Sequence, residues 1–551
     1  MRTTAILLLV LAACSQSRRS ADTVPLTTAT GTLYVGGTVY AGPDQTPRSD
    51  YAIFVDGGVI REVGPASELR TKYSRARVAD HSTATILPGL TDAHGHLYGL
   101  GLALDTVSLV ETTSYDEVIA RVRQRATRAS GNEWVLGRGW DQNDWTVKEF
   151  PTAAALDAAI AQQPVWLTRI DGHAGLANTA AMRAAGITAS TQDPEGGKIV
   201  RDANGNPTGV FIDAAMTLVE RAIPPVTYEQ TRTRVRAAAN RIASLGLTEL
   251  HDAGADDDTI RAVQELIDQN QFPIRVYIML DGSNAAQLER WFAKGPLVAY
   301  GGRLTVRSVK LYADGALGSR GAALLAPYAD DPANSGLMIT KPEEIERIAR
   351  RALAAGFQVN THAIGDRGNR NTIDAYERAG VTPDKRFRIE HLQVISLDDI
   401  PRLARNGIIA SMQPTHATSD MYWAEQRVGP QRIAGAYAWR KLLDAGVRLA
   451  LGSDFPVEDV NPFFGLYAAV TRQDQKGWPA GGWHPEERLT LAEAIRGFTS
   501  DAAYAAFEEQ SRGTIEPGKL ADFTIVEGNL TTMPASELWN AKVVRTLVGG
   551  M

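Results

Sequence analysis

The sequence predicts an α/β protein: a (β/α)8 TIM barrel with a large insertion after the first barrel strand, plus a small β-sandwich built from both chain ends. Three observations predict it. The middle of the chain alternates apolar strand-like runs with amphipathic stretches closed by glycine, the beat of a parallel sheet. About eight such strands can be counted, which fits a closed barrel. Both ends are made instead of short β-branched and aromatic runs broken by Gly and Asp-Gly turns.

The chain has 551 residues, more than one hydrophobic core usually serves. Its hydrophobic fraction of 44% and charged fraction of 22% are ordinary for a globular protein. A net charge of −6 over this length argues against nucleic acid as a partner. The first residues, "MRTTAILLLVLAAC", combine an early Arg2 with an apolar run and small residues. That is a secretion signal, too short to stay in a membrane as a helix. Its end, Leu11 to Cys14, resembles the bacterial lipobox. The resemblance implies cleavage before Cys14 and a lipid on its sulfur, so the protein is expected to be exported and anchored in the cell envelope. Ser15 resembles lipoproteins sorted to an outer membrane; the periplasmic side of the inner membrane stays open. A plain signal peptide is the alternative. Cys14 is the only cysteine, so no internal disulfide can form and the core must suffice.

Residues 15–30 read as a polar tether. Residues 31–86 carry strand-like runs such as "TLYVGGTVYAG", and residues 506–551 have the same texture, so they form the two parts of the sandwich. Residues 87–505 form the barrel. Its strand candidates are "ILPGLTDAHGHL", "LTELHDAG", "FPIRVYIML", "LTVRSVKLYADG", "FQVNTHAIGD", "FRIEHLQ", "GIIASMQPTH" and "VRLALGSDFPV". Residues 105–241 exceed what one crossover needs. They read as an insertion, a lid or wall over the site, in which Trp140 and Trp145 either cap the pocket or form local core.

In such a barrel the active site lies at the C-terminal ends of the strands. "DAHGH" puts His94 and His96 at one such end, and residues i and i+2 of a strand point the same way. His362, His391 and Asp454 end three later strands. Singly, each has a bland reading as a hydrogen-bonded histidine or a helix cap. Jointly, imidazole and carboxylate suit zinc and related divalent ions. "SVKLYADG" sets Lys310 in mid-strand, where an uncompensated charge is costly and the neutral amine is favoured. Snorkelling, or pairing with Asp314 or Glu390, is the alternative and leaves a mononuclear site. His173, His251 and His416 are candidates to contact a substrate oxygen, or are structural. Asp314 and Gly315 are candidates to line the pocket. "DANGN" is a hairpin turn, since Pro207 stands where a calcium loop needs glycine.

With "PGLTDAHGH", Lys310, His362, His391 and Asp454 in that order, the chain resembles the amidohydrolase superfamily. "GRGWDQNDW", "DGHAGLAN", "DPEGGKIVRDANGNPTG" and "VKLYADGALGSR" resemble its amidohydrolase-3 branch, which includes N-substituted formamide deformylases. The resemblance runs over nearly the whole chain after the tether. It implies that Lys310 is carboxylated and bridges two divalent ions, expected to be Zn2+, with manganese, iron and cobalt open. His94, His96 and Asp454 then hold one ion, and His362 and His391 the other. It further implies hydroxide attack on the carbonyl of a small amide, N-acyl or N-formyl amine, with Asp454 as general base and then acid.

Three alternatives remain. A mononuclear deaminase usually carries glutamate three residues after the strand-five histidine; Gly365 stands there, followed by Asp366. A lactonase or esterase could use the same ions. A non-catalytic ligand-binding lipoprotein has no reason to keep Asp454. The membrane is expected to be met only through Cys14, and the oligomeric state stays open, a homodimer included.

Overall fold

The computed structural model describes residues 30–128, 131 and 133–551. The signal segment, Cys14 and all but the last residue of the tether lie outside the described residues.

Eight strands run parallel and in chain order: Leu90–Gly95, Leu247–Ala255, Arg275–Asp281, Leu304–Tyr312, Gln358–Ala363, Arg388–His391, Ile409–Met412 and Leu449–Leu451. They are barrel strands one to eight. The first and last meet just beyond strand eight, where the Asp454 N–H donates to the His94 carbonyl (2.7 Å) and the His96 N–H to that of Phe455 (2.9 Å). The ring is nearly closed, as the alternation of strand and helix requires.

Local chemistry sets the helices between the strands. The helix Pro342–Ala355 opens with proline in its first turn beside Glu343 and Glu344. It buries Ile345, Ile348, Ala349 and Ala352, one face of a 3.6-residue period. Gly356 ends it at φ +82°, where glycine carries no Cβ penalty. Strand four then shows what the barrel does with alternation. Val309 and Leu311 join the apolar core between sheet and helices. Each such side chain contributes about 1.5–3 kcal/mol. Ser308 and Lys310 face the other way and are equally buried.

The interior side is polar. Arg388 on strand six donates to the Ala93 carbonyl of strand one (2.6 Å), His251 of strand two (3.0 Å) and Ser411 of strand seven (2.8 Å). One side chain reaches strands one, two and seven only across the inside of the barrel.

Both chain ends share one six-stranded sheet, with Phe523–Glu527 antiparallel to Arg77–Pro88, which runs parallel to Thr32–Ala41. One face buries Leu33, Val35 and Phe54 against the helix Ala66–Lys72; the other buries Ile53, Val55, Phe523 and Ile525. A buried Arg275–Asp522 pair fastens this sheet to strand three (2.8 and 2.9 Å). After strand one the chain builds a second six-stranded sheet between Val107 and Asp213. Its hairpin, Gly197–Arg201 with Pro207–Asp213, turns at Asp202, whose carboxylate accepts the N–H groups of Asn204 and Asn206.

Candidate metal centre

At the C-terminal mouth of the barrel lies a cavity of about 420 Å3 lined by His96, Lys310, His362, His391, His416 and Asp454, among others. His94 stands behind them, fully buried. Two groups of three converge closely enough to share an ion: His94, His96 and Asp454, and His391, His416 and Asp454. Nε2 of His96 is 3.0 Å from Asp454 Oδ1, and Nε2 of His94 is 3.5 Å from the same oxygen. Nε2 of His416 is 3.6 Å from Oδ2.

The backbone explains how the ligands come to face one point. Gly95 separates the two histidines of strand one, and a Cβ there would meet the Phe455 ring at 2.7 Å. His391 and Asp454 hold left-handed backbone, φ +75° and +64°. Such conformations cost non-glycine residues about 1–3 kcal/mol and gather at functional sites. Neighbours fix the imidazoles. Glu390 accepts from Nδ1 of His94, and Gln413 Oε1 from Nδ1 of His391 (2.8 Å). Each bond leaves Nε2 with its lone pair toward the cluster.

Charge states suit ligands. Burial, then the Lys310 charge, lowers His94 to about 4 against the pull of Glu390, and the same two causes lower His362 to about 3. Burial also holds His391 well below the usual histidine range. These imidazoles are neutral at pH 7, as metal ligation requires. Burial works to raise Asp454, but the hydrogen bond from His96 and the fields of the other histidines win and hold it well below the carboxylate range.

Lys310 is 1% exposed, and burial lowers it to about 8. Its Nζ lies 3.3 Å from His94 Nε2 and forms no ion pair among the described residues. A divalent ion fits this donor set. The buried His362 Nε2 and His416 Nε2 have no hydrogen-bond partner among the described residues, and imidazole nitrogen with the Asp454 carboxylate suits zinc-like ions.

The remaining candidates divide. His416 converges with His391 and Asp454 in the second group close enough to share an ion. His362 sits ring to ring with His391 (4.6 Å between centroids). Asp314 is a correction: it is sealed off from the cavity, accepting the N–H groups of Ala323 (2.8 Å), Ile364 (2.9 Å) and Gly365 (2.9 Å). It shapes the loops around His362 instead of meeting substrate. His251 is corrected too. It is fully buried, accepts from Arg388 and does not line the cavity. His173 lies on the surface of the insertion, paired with Asp213 (2.8 Å), and does not reach the cavity. Trp140 and Trp145 are core of the insertion, and no described residue of the insertion lines the cavity. The loops after strands four and seven wall it instead, through Leu317, Gly318, Asp420 and Trp423.

Residues 77–551 match the family described as "Amidohydrolase family" (Amidohydro_3). The chain belongs to the amidohydrolase family. It is similar to a Bacillus subtilis chain named as an amidohydrolase, YtcJ, at 32% identity over 94% of this chain and 98% of that one. It is 28% identical to the N-substituted formamide deformylase of Arthrobacter pascens, covering 91% of this chain and 94% of the other. Among solved structures it resembles an uncharacterized metal-dependent hydrolase from Pyrococcus horikoshii, with a TM-score of 0.74, 26% identity and coverage of 92% and 99%. The protein is therefore a metal-dependent hydrolase of the amidohydrolase superfamily.

Sequence reasoning passed over Arg388 as a partner and Gln413 altogether. The signal for Arg388 was present: in "FRIEH", Arg388 and Glu390 are i and i+2, the spacing that placed His94 beside His96.

Proposed function

We propose that this amidohydrolase cleaves the C–N bond of a small amide, an N-acyl or N-formyl amine, with two zinc ions bridged by carboxylated Lys310. The observation that carries this is Lys310 itself. Its amine is buried among imidazoles and forms no ion pair among the described residues. Burial lowers it to about 8 against the fields of Glu390 and Asp454, so the neutral amine is far more accessible than in a free lysine. That neutral amine can add carbon dioxide to become a carbamate with loss of a proton. That change turns an unwanted cation into an anion at the centre of the ligand cluster.

His94, His96 and Asp454 would hold one ion, and His362 and His391 the other. The bound ions supply Lewis acidity and acidify a water to a pKa of about 7. Asp454, kept anionic, takes the proton from the attacking water and returns it to the leaving nitrogen. His416, whose Nε2 is free of protein partners, steadies the substrate oxygen. Gly365 supports hydrolysis over deamination: a Cβ there would meet the Ala323 carbonyl oxygen at 2.1 Å, so a glutamate has no room. The lipid anchor at Cys14 would hold the enzyme at the cell envelope.

Metal content per chain tests this, by elemental mass spectrometry on protein lacking its first 14 residues. About two ions, with a clear loss in Lys310→Ala, support the bridged centre. One ion in both makes Lys310 a bystander. Release of amine from a panel of N-acyl and N-formyl amines, with esters and lactones beside them, tests the bond cleaved; turnover of the esters alone overturns it.

A further inference from the structure

Two glutamines treat two neighbouring histidines in opposite ways. His391 and His416 stack in the wall of the cavity, 5.8 Å between ring centroids and 22° apart in plane. Gln413 turns its Nε2 to the Ser411 carbonyl (3.4 Å), so its Oε1 is the atom that meets His391 Nδ1 (2.8 Å). An amide oxygen only accepts, so Nδ1 carries the proton and Nε2 the lone pair. That is the tautomer of a metal ligand.

Gln393 meets His416 with its other end. Its Nε2 lies 3.2 Å from His416 Nδ1 and 3.4 Å from Asp420 Oδ2. Asp420 fixes which amide atom stands there, because Oδ2 already accepts from the Tyr437 hydroxyl (2.5 Å) and suits a second donor. The helix Pro414–Asp420 sets His416 and Asp420 at i and i+4, on one face, where one amide reaches both. The frame is closed from behind by the Tyr437 N–H, which donates to the Gln393 carbonyl (2.7 Å). An amide N–H only donates, so His416 Nδ1 is the acceptor and the ring proton sits on Nε2.

That Nε2 is buried without a hydrogen-bond partner among the described residues and stands 3.6 Å from Asp454 Oδ2. A proton facing the carboxylate is attracted to it; a lone pair would be repelled. To bind an ion through Nε2, the ring would have to move its proton to Nδ1, against the Gln393 N–H. The spacing that lets His416 share an ion with His391 and Asp454 is therefore opposed by its tautomer.

We propose that Gln393 is a positioning residue: it holds His416 as the Nε2–H tautomer, so that His416 donates to the substrate carbonyl oxygen and is not a ligand of the ions. The target of the donor rests on the amide-hydrolase reading; the tautomer does not. Such a donor is worth most as negative charge gathers on the oxygen, and losing one costs about 100–1,000-fold in kcat.

Neutron diffraction from a deuterium-exchanged crystal of the zinc-loaded protein reads the tautomer without any substitution. The expected result is deuterium on His416 Nε2, none on Nδ1, and no zinc at the bonding distance of about 2.0–2.1 Å. Deuterium on Nδ1, or zinc on Nε2, overturns the proposal. Two variants add a kinetic reading. His416→Ala should lower kcat on an N-formyl amine about 100–1,000-fold while zinc affinity, measured by chelator competition, stays unchanged. Loss of a true ligand would weaken zinc by at least the roughly 10–100-fold that losing a ligand's hydrogen-bond partner costs. Gln393→Glu, which sets an acceptor where the amide donates, should lower kcat with KM little changed and zinc bound as tightly or tighter. Weaker zinc binding in either variant, or an unchanged kcat in Gln393→Glu, overturns the assignment. The neutron result stands by itself if a variant folds poorly. The expected deuterium pattern without turnover of any amide overturns the hydrolase reading alone.

Discussion

Glu390 accepts a hydrogen bond from Nδ1 of His94, and Arg388 grips the same carboxylate from strand six, 2.7 Å from Oε1 and 3.0 Å from Oε2. All three side chains are fully buried. The contact fixes the His94 tautomer and makes Nε2 the free donor.

Glu390→Gln is therefore expected to weaken zinc affinity about 10–100-fold. It also strips Arg388 of its counter-charge, which costs about 3–5 kcal/mol of stability. Competition against a zinc chelator and a denaturant titration read the two effects. Unchanged zinc affinity would remove Glu390 from the centre.

Lys310→Met should leave metal-free protein at least as stable as the parent. The substitution removes a buried, unpaired amine and keeps most of the volume. Urea midpoints of the two apo-proteins check this. Zinc uptake by the parent should rise with added bicarbonate, and that dependence should vanish in the variant. A bicarbonate effect that persists in Lys310→Met rules out a carbamate at this position.

Asp314→Ala leaves three backbone N–H groups without their acceptor. Each buried, unpaired donor costs about 1–3 kcal/mol. The expected result is a loss of about 3 kcal/mol or more, with faster proteolytic nicking of the loop after strand four. A side chain that merely touched substrate would change KM and leave stability alone.

Glu493 gives the pH dependence a sign. Hydrogen bonds from Arg440, then from Thr490, lower it from 4.5 to about 2 against the effect of burial. Its folded value lies below its unfolded one, so its stabilisation is complete above about 4.5 and fades as pH falls toward 2. The side chain is 21% exposed, which limits the contribution to about 1–2 kcal/mol. The stability deficit of Glu493→Gln should be full at pH 7 and shrink across that window. A deficit that is constant with pH would assign the effect to packing.

Much of the barrel was legible because its information is local. Period-two alternation in "SVKLY" put Val309 and Leu311 on the core side and Lys310 on the interior side, and glycine-closed helical stretches separated the strands. The placement of the candidate ligands was legible for the same reason: a histidine or aspartate at the end of an apolar run stands at the barrel mouth. His391 shows where alternation fails. Glu390 points inward, so the next residue should point outward, yet a φ of +75° turns His391 back to the cluster. Nothing in the neighbouring residues encodes that backbone.

The sequence by itself determined the order of the strands, the donor atoms available and the single lysine set among them. Propensity, periodicity and residue chemistry act over a few positions and can be read along the chain. Only the tertiary structure decided which candidates meet. His416, 38 residues before Asp454 in the numbering, comes within 3.6 Å of it, while His173 stays on the surface of the insertion beside Asp213. That choice depends on the paths of long loops and on contacts far apart in the chain. Asp314 holding the loop after strand four and Phe455 filling the space beside Gly95 are such contacts. Their positions are fixed by the packing of the whole barrel.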